Sequence, residues 1–375
     1  MNAKRITALA LALVMTLLLA ACGSKTVVND DGTKTEQTER GVKVTQTAAK
    51  AVQTEKYETA DFSMTIPKGW TVTTGGTNIY HSIRVYDPAE PLNQMFVLLK
   101  ADILLHSQAG KEAWQQNYSM GNTQAALFTK AAVLDNPSTE GFFKIFSQYT
   151  AFASEVEPAY SGYAFPQFND FTVTDRYPSA SPLKSSALGD EQLRATFTDN
   201  GKEGEGLFAA SVVDFGSFAI SNGNVVGYQL QAVDGGYYMA YNIVAVTAAK
   251  DTFIEWEAVL TDCFKTLQYS DSFVSTTNQA SNEKVALAQQ ISQNFNATMD
   301  GFMSSWESRN RSQDIMSQKQ SDATLGYERV YDTETGEIYK ATNGFTDVYD
   351  GKRYKPVTDD NMYAEPISGY IEKQS

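Results

Sequence analysis

Gln192-Leu193-Arg194-Ala195-Thr196-Phe197-Thr198, followed by Asn200-Gly201 and the run 207–215, decides the fold. Leu193, Ala195 and Phe197 alternate with Gln192, Arg194 and Thr196, the period of a strand. Asn-Gly between two such runs is a strong hairpin signal, because both residues tolerate the positive φ of a tight turn. Asp234-Gly235-Gly236 turns the chain again, into a strand over 237–246. Strands joined by tight turns are antiparallel, since a parallel pair needs a crossover of a dozen or more residues. An amphipathic helix over 253–268 closes the meander. Asp251 is its expected N-cap, and Phe253, Leu260, Cys263, Phe264 and Leu267 form its apolar stripe.

Toward the N-terminus, Phe62, Met64 and Ile66 alternate with Ser63 and Thr65 until Pro67-Lys68-Gly69-Trp70 breaks the strand. Ile79, His81, Ile83 and Val85 form another alternating face, and 95–105 reads as a buried strand. Helices are predicted over 109–120, 123–134 and 140–153. The last carries Phe142, Phe146 and Tyr149 at spacings of four and three, a core stripe. A further strand follows at 169–176. Phe62-Ser63-Met64-Thr65-Ile66-Pro67-Lys68-Gly69-Trp70 resembles the opening strand of PsbP-like domains. The later strands and the closing helix come in that family's order. The resemblance covers 57–270 and implies an α+β fold: an antiparallel sheet with helices packed on it, as an α/β/α sandwich. Such domains serve mostly as accessory or binding modules.

The chain opens with Lys4 and Arg5, an apolar run over 6–19, and Leu19-Ala20-Ala21-Cys22. A charged start, a short apolar core and small residues before a cut describe a secretory signal. The run is too short for a comfortable membrane span of about 20 residues. Residues 1–21 resemble a bacterial lipoprotein signal with its lipobox. That implies lipidation of Cys22, palmitate among its acyl chains, and attachment to the extracytoplasmic face of the cell membrane. An ordinary signal peptide with a chance cysteine is the plainer alternative. Residues 22–56 are polar, mix both charges and lack aromatics, so a disordered tether is expected.

Beyond 270 the expectation is a linker and a long amphipathic helix within 271–320. Its stripe is Val285, Ala288, Ile291, Phe295, Met299, Phe302 and Trp306. Residues 321–375 read as a Tyr-rich β-hairpin module. Strands 327–331 and 337–341 flank Asp332-Thr333-Glu334-Thr335-Gly336, and Asp350-Gly351 marks a second hairpin. This tail resembles segments of uncharacterised lipoproteins, a resemblance that implies no activity.

Composition removes several function classes. A net charge of −14 repels nucleic acid and anionic polymers at long range. Two histidines leave little room for zinc or His-based chemistry. With Cys22 assigned to the anchor, Cys263 has no cysteine left to pair with and reads as a small core hydrophobe. Gly204-Glu205-Gly206-Leu207-Phe208-Ala209 fits a dinucleotide loop in letters only, since it lies between strands and opens no helix. Ser181-Pro182-Leu183-Lys184 lacks the S-D-N and K-T-G partners of penicillin-recognising enzymes. His81 or His106 would have to serve any Ser-His-acid triad, and Glu155/Glu157 or Asp359/Asp360 any paired-carboxylate hydrolysis. No further motif supports either. No catalytic residue, cofactor or metal is therefore assigned.

Two aromatic groups remain, open to packing or recognition: Tyr160, Tyr163, Phe165, Phe168 and Phe171, and the tyrosines of the tail. Tyr327, Arg329 and Tyr331 share one strand face and are expected to point outward as partner-binding residues, while Val330 and Ile338 face the long helix. The reading is a lipid-anchored, non-catalytic binding or accessory protein whose partner is a surface protein or cell-wall component. A carboxylate-dependent hydrolase acting on wall polymer or peptide, or the small-molecule receptor of a transporter, are the alternatives.

Overall fold

A computed structural model of the chain describes residues 25–28, 34–37, 42–46, 52–178, 183, 185–189, 191–226, 229–280, 322–359, 362–363 and 367–373. Cys22, Ser181, Lys184 and the expected helix at 285–306 lie outside them. The described residues form two units. Residues 52–280 belong to the larger, and 25–46 together with 322–373 to the smaller.

The smaller unit begins with β1 (Lys25–Val28), β2 (Lys34–Gln37) and β3 (Val42–Gln46), where a disordered tether was expected over 22–56. Composition misleads here because β3 pairs with residues 369–373 at the far end of the chain, and β2 and β1 then add to its other edge, which a local reading does not see. β4 (Thr54–Glu58) then opens the larger unit.

The larger unit continues through β5 (Phe62–Pro67), β6 (Thr71–Gly75), β7 (Ser82–Tyr86), β8 (Gln94–Leu105), α1 (Gln108–Ser119) and α2 (Ala126–Lys130). Next come β9 (Ala132–Val133), α3 (Thr139–Lys144), α4 (Phe146–Val156), β10 (Asn169–Pro178), β11 (Ala187–Leu188), β12 (Glu191–Asp199) and β13 (Lys202–Gly216). A hairpin of β14 (Ala219–Val226) and β15 (Gln229–Asp234) precedes β16 (Tyr237–Ala249), α5 (Phe253–Lys265), β17 (Gln268–Tyr269) and α6 (Asp271–Ala280). The main sheet has the order β10-β12-β13-β16-β8-β7-β6, with every neighbouring pair antiparallel. As expected, β12 and β13 turn through Asn200 and Gly201, both at positive φ. Gly204 pairs with Phe197, whose ring lies where a Cβ would be, so the glycine-rich stretch is strand.

Two helix predictions change. The expected helix at 123–134 is a 3₁₀ turn, short α2, and β9 in parallel pairing with Leu104 and Leu105 of β8. The expected helix at 140–153 breaks at Ile145 into α3 and α4. Ser107 and Ser138 cap α1 and α3 by accepting from the Gly110 and Gly141 amides. Asp251 caps nothing: Thr252 holds the N-cap position of α5, without a side-chain bond.

Alternation along β8 feeds two cores. Met95, Val97 and Leu99 face one side, with Leu207, Val244 and Val246. The predicted α5 stripe covers them, Cys263 included, together with Phe62, Met64 and Ile66 of β5. Phe96 and Leu98 face the other side, under Phe142, Phe143, Phe146 and Tyr149 of α3 and α4. Tyr160, Tyr163, Phe165, Phe168 and Phe171 are all buried in this second core. The fold is thus mixed α and β, with antiparallel sheets and a few helices.

The smaller unit completes with β18 (Tyr327–Asp332), β19 (Ile338–Thr342), α7 (Phe345–Val348), β20 (Tyr354–Pro356) and β21 (Ile367–Lys373). Its sheet runs β1-β2-β3-β21-β19-β18-β20. β18 and β19 form the expected hairpin, with Gly336 at φ 79°. No second hairpin forms at Asp350-Gly351. Instead Gly344, at φ 83°, starts α7, Tyr349 stacks on Phe345 at 5.2 Å, and β20 pairs with β18.

Candidate functional site

Two features of the larger unit face solvent in ways that packing alone does not require. The first is a cavity of about 210 Å³ between β8 and α4. Tyr80, Tyr149, Phe152 and Tyr160 supply its rings, Asp102 and Glu157 its carboxylates, and Ile103, Leu127, Ala153 and Val156 complete it. A bulge creates the space. Across β8 and β16, Leu104 pairs with Tyr238 and Ala101 with Ala240, so β8 carries one residue more than its partner. Ile103 takes up that residue at φ 59°. The left-handed region costs a residue with a Cβ roughly 1–2 kcal/mol, and a β-branched residue there is a genuine outlier. Such strain concentrates at functional sites.

Asp102 is fully engaged. Oδ1 accepts from the Ile103 amide at 2.8 Å, and Oδ2 accepts from the Tyr80 hydroxyl at 3.0 Å. The Lys100 ammonium, completely buried, lies 3.0 Å from Oδ2. Glu157 uses Oε1 to accept from the Ala159 amide at 3.0 Å, and among the described residues it has no ion pair. Burial first, then the Asp102 charge, raises the Tyr149 pKa far above the ordinary phenol value. Burial, Tyr149, Tyr163 and Glu157 do the same at Tyr160, whose hydroxyl donates to the Tyr80 carbonyl at 2.5 Å.

The second feature is a shallow aromatic rim at the β13–β16 end of the sheet. Phe215 stacks on Tyr237 at 4.6 Å, Phe218 meets Trp114 edge-on at 5.9 Å, and Trp114 stacks on Phe128 at 4.2 Å. Phe215 is 54 % exposed and Phe218 37 %. His106 holds this rim in place. Nδ1 lies 2.7 Å from Asp234 Oδ2, and Nε2 lies 3.1 Å from Asp214 Oδ1. Asp234 also accepts from the Ser217 hydroxyl and the Gly236 amide, and Trp114 Nε1 donates to the Gly235 carbonyl. Burial raises the Asp234 pKa, but His106, the Gly236 amide and Ser217 together outweigh it and hold the carboxyl below its usual range. His106 is no triad base here. Ser217 bonds to the carboxylate, and both ring nitrogens face aspartates.

His81 is 5 % exposed among Phe62, Tyr269 and Phe273, and burial lowers its pKa to about 4 against a smaller opposing effect of Asp61. It is a neutral core residue. Burial, helped by Asp262, pushes the Cys263 thiol up to about 11, which leaves it unreactive at neutral pH. Glu155 pairs with Lys130 at the surface. No group of three His, Cys, Asp or Glu among the described residues is placed to hold a metal ion.

The tail face departs from expectation at Arg329. The residue is buried, Nε donates to Asp322 Oδ2 at 2.5 Å, and Nη1 donates to the Tyr363 carbonyl at 2.8 Å. It faces inward and not outward as expected, because Asp322 supplies a buried counter-charge that strand periodicity does not reveal. Tyr327 and Tyr331 are half-buried; Tyr327 packs on Tyr370 at 5.6 Å. Val330 and Ile338 are buried, Val330 against Tyr339, Phe345 and Tyr354, and the long helix they were expected to face lies outside the described residues. The residues the sequence reading missed, Phe215, Phe218 and Asp102, sit at a strand end and a bulge. Both break the local period, which is why alternation did not single them out.

No helix among the described residues is long and apolar enough to cross a membrane. No known protein family and no curated protein matches the chain.

Proposed function

We propose that the protein is a lipid-anchored, extracytoplasmic, non-catalytic binding or accessory module whose partner is a surface protein or cell-wall component. The exposed aromatic rim carries this reading. Phe215 and Phe218 stand out of the sheet on a frame fixed by His106, Asp214 and Asp234. Rigid aromatics bind with little loss of side-chain freedom, and partly exposed aromatic clusters mark interaction sites. The hydrolase alternative finds less support. Paired-carboxylate hydrolysis needs two acids free to exchange protons or attack, and Asp102 has both oxygens committed within the fold. The anchor remains at Cys22, where two or three acyl chains would give stable attachment.

In-cell crosslinking with the full-length protein tests the proposal. Phe215→Ser combined with Phe218→Ser should abolish partner capture with little change in melting temperature, as exposed substitutions usually do. Cys22→Ala should block lipid labelling and release the protein from the membrane. Capture retained in the double variant, or labelling retained without Cys22, would remove the corresponding half of the proposal.

A further inference from the structure

We infer that the β8–α4 cavity binds a small organic cation, an alkylated or quaternary ammonium group. The inference rests on reading the larger unit as a binding module, and it names a ligand class for a site apart from the aromatic rim.

Size comes first. At about 210 Å³ the cavity exceeds the roughly 150 Å³ that accepts benzene in an apolar core, yet stays below the roughly 300 Å³ where drug-sized sites begin. One compact head group fits. The lining then selects its charge. Tyr149, Phe152 and Tyr160 supply rings beyond that of Tyr80, which already has the Lys100 ammonium 5.6 Å from its centroid, and a cation within about 6 Å of a ring centroid is attracted by the ring quadrupole. The carboxylates tip the balance further. Asp102 and the buried Lys100 cancel each other as an ion pair, which leaves Glu157 as the uncompensated charge on the wall. Glu157 spends one oxygen on the Ala159 amide and keeps the other for a ligand.

Polar discrimination is weak by the same geometry. The Tyr80 and Tyr160 hydroxyls both donate inside the protein, to Asp102 Oδ2 and to the Tyr80 carbonyl. A ligand demanding many hydrogen bonds, such as a sugar, would find these donors already used. An ammonium carrying methyl groups asks only for rings and one anion. Strain at Ile103 is consistent with a site kept open in advance, because relaxing the bulge would remove the Asp102 end of the cavity.

Choline and its neutral isostere 3,3-dimethyl-1-butanol are the probes, titrated calorimetrically into the full mature chain. Choline should bind saturably and at least about tenfold more tightly than the alcohol, a difference of about 1.4 kcal/mol. Glu157→Gln should reduce choline affinity about tenfold and leave the alcohol unchanged, while Ala153→Leu should abolish both at an unreduced melting temperature. Equal affinities, an unaffected Glu157→Gln, or no saturable binding of choline would overturn the inference. Partner capture through Phe215 and Phe218, measured on the same preparation, would then stand or fall by itself.

Discussion

The two faces of the main sheet are built from different materials. On one, the aliphatic chains of Met95, Val97, Leu99, Val244 and Val246 meet a single amphipathic helix, whose Phe253, Trp256 and Phe264 pack among them. On the other, Phe96, Phe142, Phe143, Phe146, Phe168, Phe197 and Phe208 meet ring to ring, mostly edge to face. Rings are stiff and pack only in certain orientations. The first face is covered by its helix. The aromatic face also packs tightly at its centre but leaves a cavity beside the β8 bulge. The difference teaches that a pocket here follows from side-chain shape as much as from topology.

The largest expected effect tests whether ring geometry matters. Phe208 meets Phe143, Phe168 and Phe171 at 4.9–5.1 Å. Phe208→Ala should cost about 3–5 kcal/mol in urea unfolding. Phe208→Leu should still cost about 1–3 kcal/mol, whereas Leu260→Met on the other face should cost less than about 1.5 kcal/mol. If the two conservative changes are equally cheap, the rings are mere filler and the comparison breaks.

Next comes the helix-covered face, where the buried histidine packs on Phe62, Tyr269 and Phe273. Between pH 6.5 and about 4 the unfolded chain takes up a proton at His81 and the folded chain does not. Stability should therefore fall as pH drops through that window, by about 3 kcal/mol, and be regained above it. His81→Phe should flatten this part of the stability profile. A profile unchanged by the substitution would show that other groups set the acid limit.

The smallest effect is the sharpest contrast, because one substitution should have opposite signs on the two faces. Ala209→Leu overfills the core under α5 and should cost about 1–3 kcal/mol. Ala153→Leu enters the cavity and should gain about 0.5–1 kcal/mol. Thermal denaturation of both variants reads the difference directly, and two losses of similar size would mean the aromatic face has no usable space.

Much of this architecture was legible wherever periodicity is local. The 192–215 hairpin, the α5 stripe with Cys263 and the β18–β19 turn all declare themselves through spacing and turn residues. The failures share a cause. β1–β3 draw order from a partner that follows them only at the end of the sequence. Arg329 depends on Asp322 and the Tyr363 carbonyl to be buried at no great cost. The cavity depends on one extra residue in β8, and Leu98, Leu99, Leu104 and Leu105 give no letter-level sign of where that residue falls. Long-range pairing and bulges are set by what meets in space. A single pass along the chain does not contain them.

The interleaved sheet of the smaller unit also bears on the order of events in the cell. Gln46 pairs with Gly369 and Val42 with Lys373. Contacts between such distant positions form late and slowly, because chain entropy must be spent before they are rewarded. During synthesis the early strands emerge long before their neighbour exists, and their edges stay open to other chains until it arrives. Clipping the last dozen residues would return the first strands to that unpaired condition. A trimmed C-terminus would thus be felt at the opposite end of the polypeptide, as aggregation or degradation of a protein whose large domain is intact.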